Sequence, residues 1–145
     1  MMIRVEKINT NILENVVSFL TSVPSIEKVD EEILQNACIA YDDEKIVGCI
    51  SYEPFLDKGL IRYFVFKKIL STQYLEELLD KLEENALEYG INKLVCVAEC
   101  SQIEELFNTL SFKPINSKAI FIDEDSITNT NFKNSIFLVK DIRKQ

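Results

Sequence analysis

The sequence predicts an α+β domain built on a mixed, mostly antiparallel sheet of about seven strands. Two apolar runs, Ala37–Tyr41 and Ile46–Tyr52, flank the polar turn Asp42–Lys45, and a third run rich in β-branched and aromatic residues, Leu60–Phe66, follows Asp57–Gly59; together they read as an antiparallel meander. A long segment of helical period, 72–89, separates the strand-like runs 60–66 and 93–98, which calls for a right-handed parallel crossover. Two further apolar runs, 112–122 and 132–142, supply the last strands. No internal repeat or linker interrupts the 145 residues, so a single domain over 1–145 is expected.

Each element has a local reason. Residues 2–7 form a short strand, and Thr10 or Asn11 caps a helix whose stripe runs Leu13, Val16, Val17 and Leu20 before Pro24 stops it. A shorter acidic helix follows near 29–36. In the long helix Leu75, Leu78, Leu79, Leu82, Ala86 and Tyr89 recur at helical spacing, and Gly90 supplies a left-handed stop. Its outer face carries Glu76, Glu77, Asp80, Glu83, Glu84 and Glu88 against Lys81, the pattern of a solvated face or of a docking surface for a basic partner. Lys93–Ala98 reads as a buried strand, 102–110 as a helix, and the polar stretch Asp123–Asn131 as a loop. The order is β-α-α-β-β-β-α-β-α-β-β.

Composition excludes several chemistries. The chain has no histidine, which removes Ser-His-Asp and Cys-His nucleophilic sites and metal centres built on imidazole, and no metal site is expected. Proton transfer falls to carboxylate, Tyr, Lys, Cys or water. The net charge of −8 argues against binding duplex nucleic acid and suits a cationic partner or substrate. No run approaches the ~20 apolar residues of a membrane span, and the first ten residues lack a signal-peptide core, so a cytoplasmic protein that does not engage a membrane is expected. Cys38, Cys49, Cys96 and Cys100 form no C-x-x-C pair and sit in or beside apolar runs, as reduced and mostly buried thiols do.

The element order at this length resembles the GNAT acetyltransferase superfamily over nearly the whole chain. Locally the resemblance rests on Ile46-Val-Gly48, on Tyr63-Phe-Val-Phe66 leading into a loop and long helix, and on Leu106-Phe-Asn-Thr-Leu-Ser-Phe112, which is similar to the family's Y-x-x-x-G-F ending with Phe112 in register. The resemblance implies helices on both faces of the sheet and splayed fourth and fifth strands, with the pantetheine arm of acetyl-CoA in the gap along Phe64, Val65 and Phe66. It also implies a pyrophosphate seat at the start of the long helix, where the family carries Q/R-x-x-G-x-G/A and glycine permits close backbone approach. Here the stretch is Leu70-Ser-Thr-Gln-Tyr-Leu75, without either glycine.

Two readings of that replacement follow. In one, Ser71 or Thr72 caps the helix through its hydroxyl while Glu76 and Glu77 occupy the first turn, a satisfied terminus that repels a pyrophosphate. In the other, Ser71 and Thr72 donate to phosphate oxygens beside Gln73 and Tyr74, and Lys67 and Lys68 replace the missing cation. Phe107 stands where the family commonly has a Tyr that protonates the leaving thiolate. Cys100 stands where an Asn often contacts the cofactor arm, although a buried structural thiol is the plainer reading. Ser111 replaces the usual Gly before Phe112.

The resemblance implies transfer of an acetyl group from acetyl-CoA to a small-molecule or peptide amine by direct attack in a ternary complex. An ammonium is not nucleophilic, so a base is needed. Glu99 and Glu53, at strand ends, are the placed candidates, with Tyr63 on the strand beside the cleft as a third. The competing expectation is a catalytically silent module of the same fold that binds CoA weakly or not at all. A homodimer is expected if the apolar strand Ile136–Val139 lies at a sheet edge.

Overall fold

The computed structural model describes residues 2–24, 26–98, 100–115, 121–122, 125–126 and 136–143. Strand β1 (Ile3–Lys7) leads through a 3-10 turn (Thr10–Ile12) into helix α1 (Leu13–Thr21) and the short α2 (Glu31–Leu34). Strands β2 (Cys38–Asp42), β3 (Lys45–Phe55) and β4 (Lys58–Phe66) form the expected meander. Helix α3 (Thr72–Glu88) crosses to β5 (Lys93–Ala98), and α4 (Ser101–Thr109) leads to β6 (Lys113–Ile115). Phe121–Ile122 (β7) pairs with Asp125–Ser126 (β8), and β9 (Ile136–Asp141) completes the sheet. The seven-stranded sheet has the order β1-β2-β3-β4-β5-β9-β6, with only β4 and β5 parallel.

The core is two-sided, and strand alternation decides which residue joins which side. Cys38, Ala40, Ile50 and Tyr52 face α3 and α4, packing with Leu75, Leu78, Leu79, Leu82 and Phe107. Ile39, Tyr41 and Cys49 face the other way, against Val16 and Leu20 of α1 and Leu34 of α2. Fully burying a leucine contributes roughly 1.5–3 kcal/mol, so the four-leucine stripe of α3 is a main anchor of its layer. Both long-range helices end in Schellman motifs. At α3, Gly90 N–H donates to Leu87 O and Ile91 N–H to Ala86 O; at α4, Ser111 N–H donates to Asn108 O and Phe112 N–H to Phe107 O. Gly90 adopts φ 79° and Ser111 φ 75°, so the second motif places a side chain in the left-handed region.

Several expectations are corrected. Tyr89 is not part of the buried stripe of α3; it caps the helix and is 64% exposed, with the Lys7 ammonium over its ring. The β3–β4 turn falls on Leu56 and Asp57, Leu56 taking φ 58°, because Lys58 already pairs with Phe55. Among the described residues, the expected strand 112–122 contributes Lys113–Ile115 to the main sheet, while Phe121–Ile122 pairs locally with Asp125–Ser126 inside the expected loop; 116–120 lie outside the described residues. Ile136–Val139 is not an edge: β9 lies between β5 and β6, and Phe137–Val139 pair on both sides. No helix among the described residues is long and apolar enough to cross a membrane.

Candidate functional site

The parallel ladder between β4 and β5 is short. Lys58, Gly59 and Leu60 register with Lys93, Leu94 and Val95, and the pairing stops there. Beyond Leu60, β4 runs on to Phe66 and β5 to Ala98, and among the described residues no strand pairs with this edge of β4. A cavity of about 550 Å³ occupies the gap, lined by Ile61, Phe64 and Phe66 of β4, Cys96 and Val97 of β5, Cys100, and Gln102, Ile103, Leu106 and Phe107 of α4. Its walls are apolar apart from Gln102 and two thiols. Rings of Phe66, Phe64, Phe107 and Phe112 form a chain with centroid spacings of 5.2, 5.5 and 5.0 Å, the last two edge-to-face.

A bulge sets which residues face this cleft. Cys49 opposes Val65 while Ser51 opposes Arg62, so β4 carries one more residue than β3 across this step. Tyr63 takes φ 63° there. The extra residue flips the alternation: Ile61, Phe64 and Phe66 share the cleft face, whereas Tyr63 and Val65 pack toward α1 and α2. A left-handed aromatic costs on the order of 1–3 kcal/mol. Two contacts offset it: the Asp30 backbone N–H donates to Tyr63 Oη at 2.9 Å, and the Arg62 guanidinium lies 5.3 Å from the ring centroid.

On that opposite face lie two shallow grooves sharing Asp30 and Glu32. One, of about 650 Å³, adds Lys28, Glu31, Arg62 and Tyr63; the other, of about 430 Å³, adds Gln35, Asn36 and Glu53. Arg62 donates to Glu53 Oε1 at 2.9 Å. Asp30 caps α2, accepting from Glu32 N–H, and the buried Ser51 hydroxyl donates to Ile33 O, fixing α2 over β3. Among the described residues no group of three His, Cys, Asp or Glu side chains is placed to hold a metal ion.

The sequence-derived site residues separate accordingly. Phe64, Phe66, Cys100 and Phe107 line the cleft. Val65 lies on the same strand with its side chain toward α1. Glu53 and Tyr63 belong to the groove face, each already hydrogen-bonded. Glu99 lies outside the described residues. Lys67 and Lys68 are exposed in the connection from β4 to α3, and Ser71, Thr72 and Gln73 are exposed at its end, with Tyr74 half-buried against the core.

The satisfied-terminus reading of α3 is overturned. Ser71 is the N-cap residue, yet no side-chain cap bond is made, and no acid falls in the first turn because Glu76 and Glu77 come one turn too late. The Ser71 carbonyl accepts from Tyr74 and Leu75 N–H, which leaves the Thr72 and Gln73 amides as donors that helix geometry cannot satisfy. Cys100 is also corrected: it is exposed at the cleft, not buried. Burial pushes the Cys38 and Cys96 thiols up to about 12 and pushes the Cys49 thiol up as well, so these three are inert structural groups. Ile61, Cys96, Ile103 and Leu106 also line the cleft and are not among the site residues named from the sequence, since apolar periodicity does not tell a cleft wall from a packed interior.

The fold is that of the GNAT acetyltransferases. N-acetylglutamate synthase from Neisseria gonorrhoeae, solved with coenzyme A and N-acetylglutamate, superposes with a TM-score of 0.78 at 16% identity over 99% of this chain, which spans 36% of the length of that enzyme. The Mycobacterium tuberculosis protein Rv2747, solved in complex with CoA, gives 0.70 at 13% identity, covering 95% of this chain and 98% of its own. A GNAT-family acetyltransferase from Staphylococcus aureus gives 0.65 at 17% identity, covering 98% of this chain and 100% of its own. No protein-family model and no curated protein matches the sequence.

Proposed function

We propose that the chain transfers an acetyl group from acetyl-CoA to an amine, the amine attacking the thioester directly while both substrates are bound. The observation that carries this reading is the parted β4–β5 pair: a strand edge of six residues, Ile61–Phe66, that no strand among the described residues pairs, above an apolar cavity of about 550 Å³. A pantetheine arm has amides to pair with such an edge and a methylene chain to bury against Phe64 and Phe107. The uncapped start of α3, with Lys67 and Lys68 in the connection before it, suits the pyrophosphate. Two of the three solved structures compared above contain coenzyme A.

The amine enters from the groove face, where Asp30, Glu31, Glu32 and Glu53 outnumber Lys28 and Arg62 and favour a cationic acceptor. Glu53 and Glu99 are the candidate bases; a base at Glu53 must act from within its pair with Arg62. Phe107 has no proton for the departing thiolate, which leaves unassisted or with a proton from solvent.

Calorimetry with acetyl-CoA, followed by thiol release with a polyamine, a free amino acid and a lysine peptide, tests the reading. Weak but saturable binding and amine-dependent thiol release are expected; no heat at millimolar acetyl-CoA refutes it. A second reading, a silent binding module of this fold, is favoured by the engagement of both groove-face candidates, Glu53 with Arg62 and Tyr63 with Asp30. Saturable binding without transfer to any of the amines supports that one.

A further inference from the structure

Strand β1 is one edge of the seven-stranded sheet: among the described residues it pairs with β2 alone, and β2 and β3 separate it from the cleft strand β4. Its ladder shows which backbone groups are already engaged. Met2 O accepts from Asp43 N–H, and Ile8 N–H donates to Ala37 O, so the even-numbered residues turn their amides and carbonyls toward β2. By the alternation of an antiparallel ladder, Ile3, Val5 and Lys7 turn theirs outward. Arg4 and Glu6 share one face of the strand, paired at 3.1 Å with their side chains 47% and 52% exposed. The Arg4 guanidinium lies 4.5 Å from the centroid of the Tyr41 ring, which holds it on that face. Ile3 and Val5 pack on the other face, half-buried against the α3 layer.

Charged side chains ordinarily keep an edge strand from pairing. Here their signs leave one central register open. Two copies of β1 running antiparallel bring outward groups to outward groups when the two-fold axis passes at Arg4, at Val5 or at Glu6. An axis at Arg4 sets that residue against the partner's Arg4, and an axis at Glu6 sets it against the partner's Glu6; like charges directly opposite destabilise a pair. An axis at Val5 instead sets Arg4 against the partner's Glu6 and Glu6 against the partner's Arg4. That register also overlaps all of Ile3–Lys7 and closes about six backbone hydrogen bonds through Ile3, Val5 and Lys7.

We infer that β1 is an interface for a second copy of this chain, the two strands pairing antiparallel about Val5 so that one sheet runs through both molecules. Arg4 and Glu6 occupy the non-hydrogen-bonded positions of the new ladder, where opposite side chains approach most closely. The four side chains form a ring of alternating charge, each guanidinium between two carboxylates. A single five-residue edge is small for a protein interface, and the net charge of −8 on each copy opposes association, so the dimer is weak and reversible. The cleft lies across β2 and β3 from this edge, and the inference does not rest on the CoA reading.

The test is sedimentation equilibrium of the full chain up to millimolar concentration, with amide hydrogen exchange at the two ends of that range. A monomer–dimer equilibrium is expected. Arg4→Glu and Glu6→Arg should each weaken it at least about tenfold, while the double variant Arg4→Glu, Glu6→Arg and an equimolar mixture of the two single variants should both restore it. Glu6→Arg is the discriminating single change, because it lowers the net negative charge and would strengthen a non-specific association. Hydrogen exchange needs no variant and decides the case even where a substitution loosens the fold: the Ile3, Val5 and Lys7 amides should gain protection with concentration, while those of Arg4 and Glu6, already bonded to β2, should not change. A chain that stays monomeric at millimolar concentration would overturn the inference, its edge closed by its own charges or kept for another partner. So would a dimer that Glu6→Arg leaves intact, a folded double variant that stays monomeric, or a dimer that leaves the Val5 amide unprotected.

Discussion

The substitution Phe107→Tyr places a hydroxyl on a ring that is 3% exposed, 5.5 Å from Phe64 and 5.0 Å from Phe112, in the wall of the cleft. Without ligand, the new group enters an apolar environment, and an unpaired buried hydroxyl costs about 1–3 kcal/mol. A domain of this size shifts by roughly 2–4 °C in Tm per kcal/mol, so the variant should melt several degrees lower. In the reacting complex the same hydroxyl gains a partner, the departing thiolate. General acids contribute ~10²–10⁴-fold, but a thiol with pKa ~8.5 is already a fair leaving group, so the gain belongs at or below the lower end, about 10- to 100-fold in kcat. The assay is thiol release at saturating acetyl-CoA and amine between pH 6 and 9, with acetyl-CoA affinity measured in parallel. A tyrosine with an ordinary pKa near ~10 stays protonated through that range, so the gain should persist across it. A kcat within twofold of the parent, with affinity unchanged, would refute the argument that Phe107 marks the place of a missing acid.

Three further outcomes are expected. Lys67→Ala with Lys68→Ala should weaken CoA binding about tenfold at low salt, with the difference shrinking at high salt, as calorimetry at two ionic strengths would read; a salt-independent loss would mean that the lysines act through structure. Ser111→Gly should stabilise the fold by about 1 kcal/mol in urea melts by relieving the left-handed side chain at the end of α4, while Gly90→Ser should destabilise it by a similar amount at the matching position of α3; no gain in the first would show that Ser111 is not strained. Lys140→Met removes the ammonium that donates to Glu83 Oε2 at 2.9 Å between α3 and β9. Burial raises the Glu83 carboxyl above its ordinary value, so its charged form is the one penalised in the folded state. That penalty is absent while Glu83 is protonated and appears as pH rises through its raised value. The variant should therefore lose about 1–3 kcal/mol at pH 7 and less near pH 4, and an equal loss at both pH values would contradict it.

Most of the fold was legible because its signals are local and redundant. The leucine stripe of α3 fixes a face, Gly90 fixes where it ends, and the placement of α3 between two strand-like runs leaves a parallel crossover as the only economical connection. Strand order beyond that crossover was not legible. Ile136–Phe137–Leu138–Val139 is apolar enough for an edge that pairs with another chain or for an interior strand, and only tertiary pairing with β5 and β6 decides it. The α3 terminus misled for a different reason: Ser71 has the right residue type and position for a cap, yet the side-chain hydrogen bond is not made.

The site was legible in outline and hidden in detail, and a single backbone irregularity accounts for much of the difference. Strict alternation along β4 groups Ile61, Tyr63 and Val65 on one face and Phe64 and Phe66 on the other, which mixes cleft and groove residues. The extra residue opposite Ile50 instead sends Ile61, Phe64 and Phe66 to the cleft and turns Tyr63 away from it, to bind the Asp30 amide beside α2. No residue in Arg62-Tyr-Phe-Val65 advertises the bulge, since the left-handed position is held by a tyrosine where glycine or asparagine is the usual sign. The conformation persists because both faces reward it: one keeps Phe64 against Phe107, and the other ties β4 to α2 through Tyr63 and Arg62. The same bulge thus joins the cleft side of the sheet to the groove side, so a change at Tyr63 that lets the strand relax should disturb the cleft as well as the groove.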